Sequence, residues 1–186
     1  MSTLARFELE QYERMIRAGV FDGKFVRHLE FLRGAIVEMN PIGSAHSQCV
    51  ANLSDWSYEV APQTEVGIRV QMPLRIPRLN SEPEPDLLWV VRRDYSAKHP
   101  EPEDVLLVIE VADSSLEFDR GEKLQLYAEA GIEDYWVVNL IDRCIEIYRS
   151  VANAQYQATS VHRGSQDVRP LHFPGATLQP VRVFGA

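Results

Sequence analysis

The chain has 186 residues, a length typical of one compact domain, and a net charge of −8. This acidity argues against a protein that coats nucleic acid non-specifically, because such affinity comes mostly from neutralising phosphates. It is compatible with an enzyme whose clustered carboxylates hold a divalent metal ion. No run of about 18 apolar residues occurs, which excludes a transmembrane helix.

Two further features indicate the compartment and the domain organisation. The N-terminal segment turns acidic at Glu8 before an apolar core can form, so we expect no secretory signal. Cys49 and Cys144 are too few for a disulfide scaffold and lack CxxC spacing, so we expect both as small core residues of a cytoplasmic protein. No repeat or long linker interrupts the sequence, and we therefore expect one domain over residues 1–186.

Hydrophobic periodicity and turn residues predict four elements in the first half of the chain. They are a helix over 4–18, a hairpin over 25–39 that turns at Arg33-Gly34, a helix over 44–60 and a half-buried strand over 67–76. Gly19 follows the first helix and Pro62 the second, where residues of these types commonly end a helix.

The centre of the chain contains two unbroken apolar runs, 87–91 and 105–109, which are typical of strands buried on both faces of a sheet. A helix is predicted over 119–130, and strands over 135–140 and 144–148. The remainder, 150–186, contains shorter β-prone pieces that we expect to wrap the sheet edge. The sequence thus predicts an α/β fold on the border of α+β. It has a mixed central sheet flanked by helices, an N-terminal helix and hairpin, and a β-rich C-terminal extension.

Acidic residues lie at the ends of both apolar runs. Asp86 precedes the first run, and Glu110 follows the second 24 residues later. Because strand side chains alternate, Glu110 shares a face with Leu106, Val108 and Ala112 and should lie near the core. An unpaired buried carboxylate costs several kcal/mol or becomes protonated. A divalent ion bridging Asp86 and Glu110 removes that cost, and hard oxygen ligands suit Mg²⁺ or Mn²⁺.

A lysine completes this candidate site. Lys123 lies on the following helix, one turn before Tyr127 and therefore close to the apolar side of that helix. A lysine beside a carboxylate-bound metal can stabilise a pentavalent phosphate or orient the attacking water. Aspartate, glutamate and lysine around one metal form a minimal set for phosphodiester hydrolysis.

The sequence contains motifs in a distinctive order and spacing. They are Pro85-Asp86, IEVADSS at 109–115, DRGEK at 119–123 and YAEAGIEDYWVV at 127–138, preceded by LEFLRGAIVEMNP at 29–41 and by His46. Together they closely resemble the Uma-type putative restriction endonuclease family of the PD-(D/E)XK nuclease superfamily, over most of the chain. The resemblance implies a restriction-endonuclease-like core and divalent-metal-dependent cleavage of DNA.

The resemblance also implies roles for particular residues. Asp86 and Glu110 look like the two acidic metal ligands, with the backbone carbonyl of Val111 as a third. The superfamily motif places its lysine two residues after the second acid, where this chain has Ala112. In this family the lysine has moved to the next helix, a position that Lys123 matches.

Two more candidates come from the upstream blocks. Glu30 matches the acid that such nucleases carry on the first helix or hairpin, with Glu38 as the second choice. His46 can contact a phosphate or a metal-bound water. A homodimer is expected by analogy, because two cuts on opposed strands need two sites.

Structural interpretations compete with each of these roles. Asp86 can cap a turn, Glu110 can pair with an arginine in the core, and Lys123 can be a solvated helix residue. The aromatic residues of the 127–138 block are expected in the core. Asp119, with Glu122 three residues later, resembles a helix N-terminal cap.

Two other functions compete with metal-dependent cleavage. A nuclease-fold domain can bind DNA or protein without cutting; the acidic charge and the lack of a dense basic stripe favour it, and the intact Asp86, Glu110 and Lys123 disfavour it. Glycoside hydrolysis also uses two acids but explains neither the lysine nor the order of the blocks. No zinc-binding, phosphate-loop, dinucleotide-binding or serine-hydrolase motif is present.

Overall fold

In a computed structural model of the chain, the structure describes residues 4–22 and 28–184. The helical elements are α1 (Leu9–Arg17), α2 (Ser44–Val60), α3 (Leu116–Phe118), a π-helical turn (Asp119–Lys123), α4 (Leu124–Ala130) and α5 (Val181–Phe184). The strands are β1 (Leu29–Leu32), β2 (Ala35–Glu38), β3 (Val66–Val70), β4 (Leu87–Val91), β5 (Val105–Ala112), β6 (Asp134–Asn139), β7 (Cys144–Ala152) and β8 (Gln155–Arg163).

Strands β3 to β8 form one six-stranded sheet in chain order, and β1 and β2 form a separate hairpin. Within the described sheet, β5 and β6 run parallel and every other neighbouring pair is antiparallel. A parallel pair needs a crossover connection, which the helical segment from α3 to α4 provides. The mixed central sheet flanked by helices confirms the predicted fold class.

The sheet separates two hydrophobic cores. On one face α2 packs through Trp56, whose ring lies 5.3 Å from that of Trp89 and 5.9 Å from that of Trp136. On the other face α4 packs through Tyr127, whose ring centre lies 5.0 Å from that of Tyr135. Strands β4 to β6 are consequently buried on both faces, as their unbroken apolar runs predict.

The N-terminal helix is shorter than its apolar pattern predicts, since it begins at Leu9 rather than at residue 4. The preceding segment is extended because the backbone N–H of Phe7 donates to the carbonyl of Gly34 at 2.8 Å. The hairpin turns at Arg33-Gly34 as expected, with φ of +80° at Gly34. The first part of its predicted range, residues 25–27, lies outside the described residues.

Strand β3 also ends earlier than predicted, at Val70 rather than at residue 76. Gln71 adopts a left-handed conformation with φ of +49°, and its N–H donates to the carbonyl of Asp86 at 3.1 Å. This turn leads the chain out of the sheet although its apolar and polar residues continue to alternate.

Beyond residue 150 the chain forms more regular structure than expected, because β7 continues to Ala152 and β8 adds a nine-residue edge strand. Cys49 and Cys144 are each 1% exposed, which confirms their place in the core. None of the described helices has the length and apolar character needed to cross a membrane.

Candidate active site

Glu110 lies inside β5, two residues before its end, rather than closing the strand as predicted. Its side chain is 2% exposed on the face that carries Val108 and Ala112. Oε1 accepts hydrogen bonds from Lys123 Nζ at 2.9 Å and from the Tyr127 hydroxyl at 2.7 Å. The partner of Glu110 is therefore a lysine from the next helical segment and not the core arginine considered from the sequence.

Burial raises the pKa of Glu110 to about 8, against the opposing effect of the Lys123 ammonium. The charges of Asp119, Asp86 and Glu30 raise the pKa further. Glu110 thus retains a proton above the usual range of a carboxyl group, because burial disfavours its charged form and the neighbouring acids add to that effect.

Asp86 lies directly before β4 and has a hydrogen-bond partner on each oxygen. Oδ2 accepts from the backbone N–H of Val111 at 2.8 Å and lies 3.1 Å from His46 Nε2, while Oδ1 accepts from Gln71 Nε2 at 3.1 Å. The Asp86 backbone N–H lies 3.4 Å from Glu110 Oε2, so the two acids are neighbours. This position, 7% exposed and bonded to β5, differs from that of an acid that only caps a turn.

The charges of Asp86 and His46 depend on each other. Burial raises the pKa of Asp86, but the hydrogen bonds and charges of His46, Val111 and Lys123 outweigh it and hold the pKa below its usual value. Burial lowers the pKa of His46, while the hydrogen bond and charge of Asp86, together with the Val111 backbone, raise it above 6.5. His46, near the start of α2, is thus an ion-pair partner of Asp86.

Lys123 is the last residue of the π-helical turn and is 2% exposed. Its ammonium lies between two carboxylates, 2.9 Å from Glu110 Oε1 and 3.0 Å from Glu30 Oε1. Burial lowers its pKa, but the charges of Glu110, Glu30 and Asp119 raise it well above the usual value, so the ammonium stays protonated. A solvated lysine is therefore the wrong interpretation.

Glu30 and Glu38 occupy different places although both belong to the hairpin. Glu30 is 0% exposed and its Oε2 atom has no hydrogen-bond partner among the described residues. Glu38 is exposed at the end of β2 and lines a neighbouring cavity rather than the one that contains Glu110. The structure thus brings together Asp86, Glu110, Lys123, Glu30 and His46 and leaves Glu38 outside.

The structure adds two residues that sequence reasoning assigned elsewhere. Asp119 is 2% exposed within the helical segment that begins at Leu116, so it does not cap the helix start. Its Oδ2 accepts from Ser115 Oγ at 2.6 Å, and burial raises its pKa to about 6. Tyr127 packs in the core as expected but also donates to Glu110. Both lie four residues from Lys123, a spacing that indicates a shared helix side.

A cavity of about 70 Å³ lies above these groups and is lined by Asp86, Glu110, Asp119, Lys123 and Glu30. Six carboxylates line the cavity, these four together with Glu84 and Asp113. They outnumber the described groups there that can carry positive charge, which are Lys123, His46 and His28. Among the described residues no three His, Cys, Asp or Glu side chains already form a complete metal-ligand set. The hard oxygen donors, the charge excess and the unpaired Glu30 Oε2 nevertheless fit a divalent cation completed by backbone or water oxygens.

The chain is similar to proteins that are described as putative nucleases. A model of the Uma2 family, described as "Putative restriction endonuclease", matches residues 9–181. Among solved structures the chain is similar to that of a putative nuclease belonging to DUF820 from Anabaena variabilis, at 14% sequence identity and a TM-score of 0.71. The alignment covers 96% of this chain and 97% of the other, so the two share a fold. No curated protein matches the chain.

Proposed function

The chain belongs to the Uma2 family of putative restriction endonucleases, and we propose that it hydrolyses phosphodiester bonds of DNA with a divalent metal ion. The family and the fold support a nuclease in general terms. The observation that carries the specific proposal is the buried cluster of Lys123 with Glu110 and Glu30, next to Asp86 and with more carboxylates than cations.

The metal ligands in this proposal are Asp86, Glu110 and the backbone carbonyl of Val111, with Mg²⁺ or Mn²⁺ as the ion. Such an ion, when bound, stabilises negative charge on a phosphate and lowers the pKa of water. Two features of the chain support these ligands. Asp86 has the lowered pKa of an acid that stays ionised, and Tyr127 and Lys123 occupy Oε1 of Glu110, which leaves Oε2 beside Asp86.

Lys123 supplies the positive charge of the proposed mechanism. The ammonium has three hydrogens and two acceptors among the described residues, Glu110 and Glu30, so one hydrogen remains for a water molecule or a phosphate oxygen. Glu30 accepts a second hydrogen bond from this ammonium, at 3.0 Å. His46 restrains Asp86, and its Nδ1 atom, which has no partner among the described residues, can reach a phosphate or a water.

A second cavity of about 880 Å³ adjoins the site and shares the wall formed by residues 39–42. A metal ion and a few waters need far less room than this, whereas a nucleotide of a polymeric substrate needs a space of this order. The size of the adjoining cavity therefore supports an extended substrate such as DNA. In this proposal the DNA lies in the adjoining cavity and reaches the carboxylates past residues 39–42.

The test is cleavage of plasmid and of single-stranded DNA with Mn²⁺, Mg²⁺ or EDTA. We expect cleavage that needs the metal and is lost in Asp86→Asn, Glu110→Gln and Lys123→Met. Glu59→Gln removes an exposed ion pair with Arg182 and serves as the matched control that keeps activity. Cleavage that survives Glu110→Gln contradicts the assignment. DNA binding unaffected by EDTA, without product, instead favours a domain that binds and does not cut.

A further inference from the structure

A second buried carboxylate lies beside the candidate site on the same face of the sheet. Glu110 on β5 pairs with Val137 on β6, and Val137 pairs with Glu146 on β7. Residues paired across neighbouring strands point to the same face, so Glu146 lies about 10 Å from Glu110, two strand spacings away. Glu146 is 4% exposed.

Glu146 is a fixed anchor for Arg120. Both oxygens of its carboxylate accept from the Arg120 guanidinium, with an Nε to Oε2 distance of 2.9 Å. Asn139 Nδ2 and the Tyr148 hydroxyl donate to the same carboxylate at 3.0 and 2.8 Å. Burial raises the pKa of Glu146, but these hydrogen bonds lower it below its usual value, so the group remains charged. A bidentate arginine–carboxylate pair fixes the orientation of the two groups as well as the distance between them.

Arg120 and Lys123 belong to the same five-residue π-helical turn. A π-helical turn has hydrogen bonds between residues five apart instead of four, is rare, and occurs mostly as a single turn inside an α-helix. Two contacts hold the first residues of this turn, Asp119 and Arg120, against the sheet. One is the ion pair of Arg120 with Glu146, and the other is a 2.9 Å hydrogen bond from the Tyr135 hydroxyl to the carbonyl of Asp119.

We propose that Glu146 is a positioning residue, which acts through Arg120 to keep the π-helical turn in place and so holds the Lys123 ammonium between Glu110 and Glu30. Without this anchor the turn can convert to regular α-helix. An α-helix turns about 100° per residue and the wider π-helix somewhat less, so over the three residues from Arg120 the conversion rotates Lys123 by about 50°, enough to move the ammonium away from both carboxylates. The catalytic value of this placement rests on the proposed nuclease function, but the placement itself does not.

The test follows the Lys123 ammonium directly in the lysine side-chain ¹H–¹⁵N NMR spectrum. The sequence has three lysines, Lys24, Lys98 and Lys123, so Lys123→Met assigns the third signal. Acylation of Lys123 by an amine reagent, followed by mass spectrometry with exposed Lys98 as internal reference, gives a second readout. In Glu146→Ala and Arg120→Ala we expect the Lys123 signal to shift or disappear, and its acylation to become at least tenfold faster.

Arg149→Ala is the matched control. Arg149 on β7 forms an equivalent bidentate ion pair with Asp134, the first residue of β6, which is 1% exposed. We expect Arg149→Ala to lower Tm by a similar amount while the Lys123 signal and acylation stay as in the wild type. Unchanged readouts in Glu146→Ala, or equal changes in Arg149→Ala, overturn the inference. A protein that passes this test but never cleaves DNA contradicts the nuclease proposal alone.

Discussion

Replacing Glu110 by glutamine should remove much of the pH dependence of folding stability. Glutamine has the shape of the protonated acid and never ionises. The pKa of Glu110 is about 8 in the folded protein and near 4.5 in the unfolded chain. Between these values the folded state binds the extra proton, so its stability is complete at low pH and is lost as the pH rises.

The size of this effect follows from one proton. The free energy of unfolding changes by about 1.4 kcal/mol per pH unit while the folded state holds one proton more than the unfolded state. Integrated between about pH 5.5 and pH 7.5 with the pKa of about 8, the wild type should lose about 2–3 kcal/mol through this group. Glu110→Gln should not suffer this loss, so its stability relative to the wild type improves across that range.

Urea denaturation in metal-free buffer at several pH values measures the difference. Asp119 and His46 also have raised pKa values, so rising pH lowers the stability of both the wild type and Glu110→Gln over part of this range. The quantity to compare is therefore the difference between the two proteins in the slope of unfolding free energy against pH. Glu59→Gln, at an exposed position, should keep the wild-type slope. Identical slopes for Glu110→Gln and the wild type would refute the claim that Glu110 is protonated in the folded protein.

Three further predictions test individual residues. Lys123→Met should cost about 3–5 kcal/mol at neutral pH, since it leaves the carboxylate of Glu30 buried without its cation. A cost below about 1 kcal/mol in urea denaturation contradicts this buried ion pair. Tyr127→Phe should cost about 1–2 kcal/mol and raise the Glu110 pKa, and an unchanged pKa by carboxyl NMR argues against their bond. Cys49, whose pKa burial raises to about 12, should resist thiol reagents at pH 8; rapid labelling in the folded protein contradicts its burial.

The sequence predicted the acids of the candidate site because simple physical patterns mark them. Asp86 and Glu110 adjoin apolar runs long enough to be buried strands, and strand alternation places Glu110 on the core face. Lys123 followed from its position one turn before Tyr127. Pairings between distant segments, such as that of His46 with Asp86 across 40 residues, depend on the packing of α2 and have no local signal.

The elements that sequence reasoning missed are those decided by tertiary contacts. The π-helical turn differs from an α-helix by one hydrogen-bond register, and its apolar pattern is that of an ordinary helix. Asp119 is of a residue type that often caps a helix, yet the helical segment already begins three residues earlier, at Leu116. Strand β3 ends where Gln71 bonds to the segment before β4, although the alternation of residues continues.

Calorimetric titration of Mn²⁺ tests the central claim, that Asp86 and Glu110 form one metal site, most directly. It should be run on the wild type, Glu110→Ala and the control Glu59→Gln, each bound to a non-hydrolysable phosphorothioate DNA duplex. We expect one ion per chain in the wild type and the control, and at least a tenfold loss of affinity in Glu110→Ala. Equal Mn²⁺ affinity in all three proteins, or no binding in any, would contradict it.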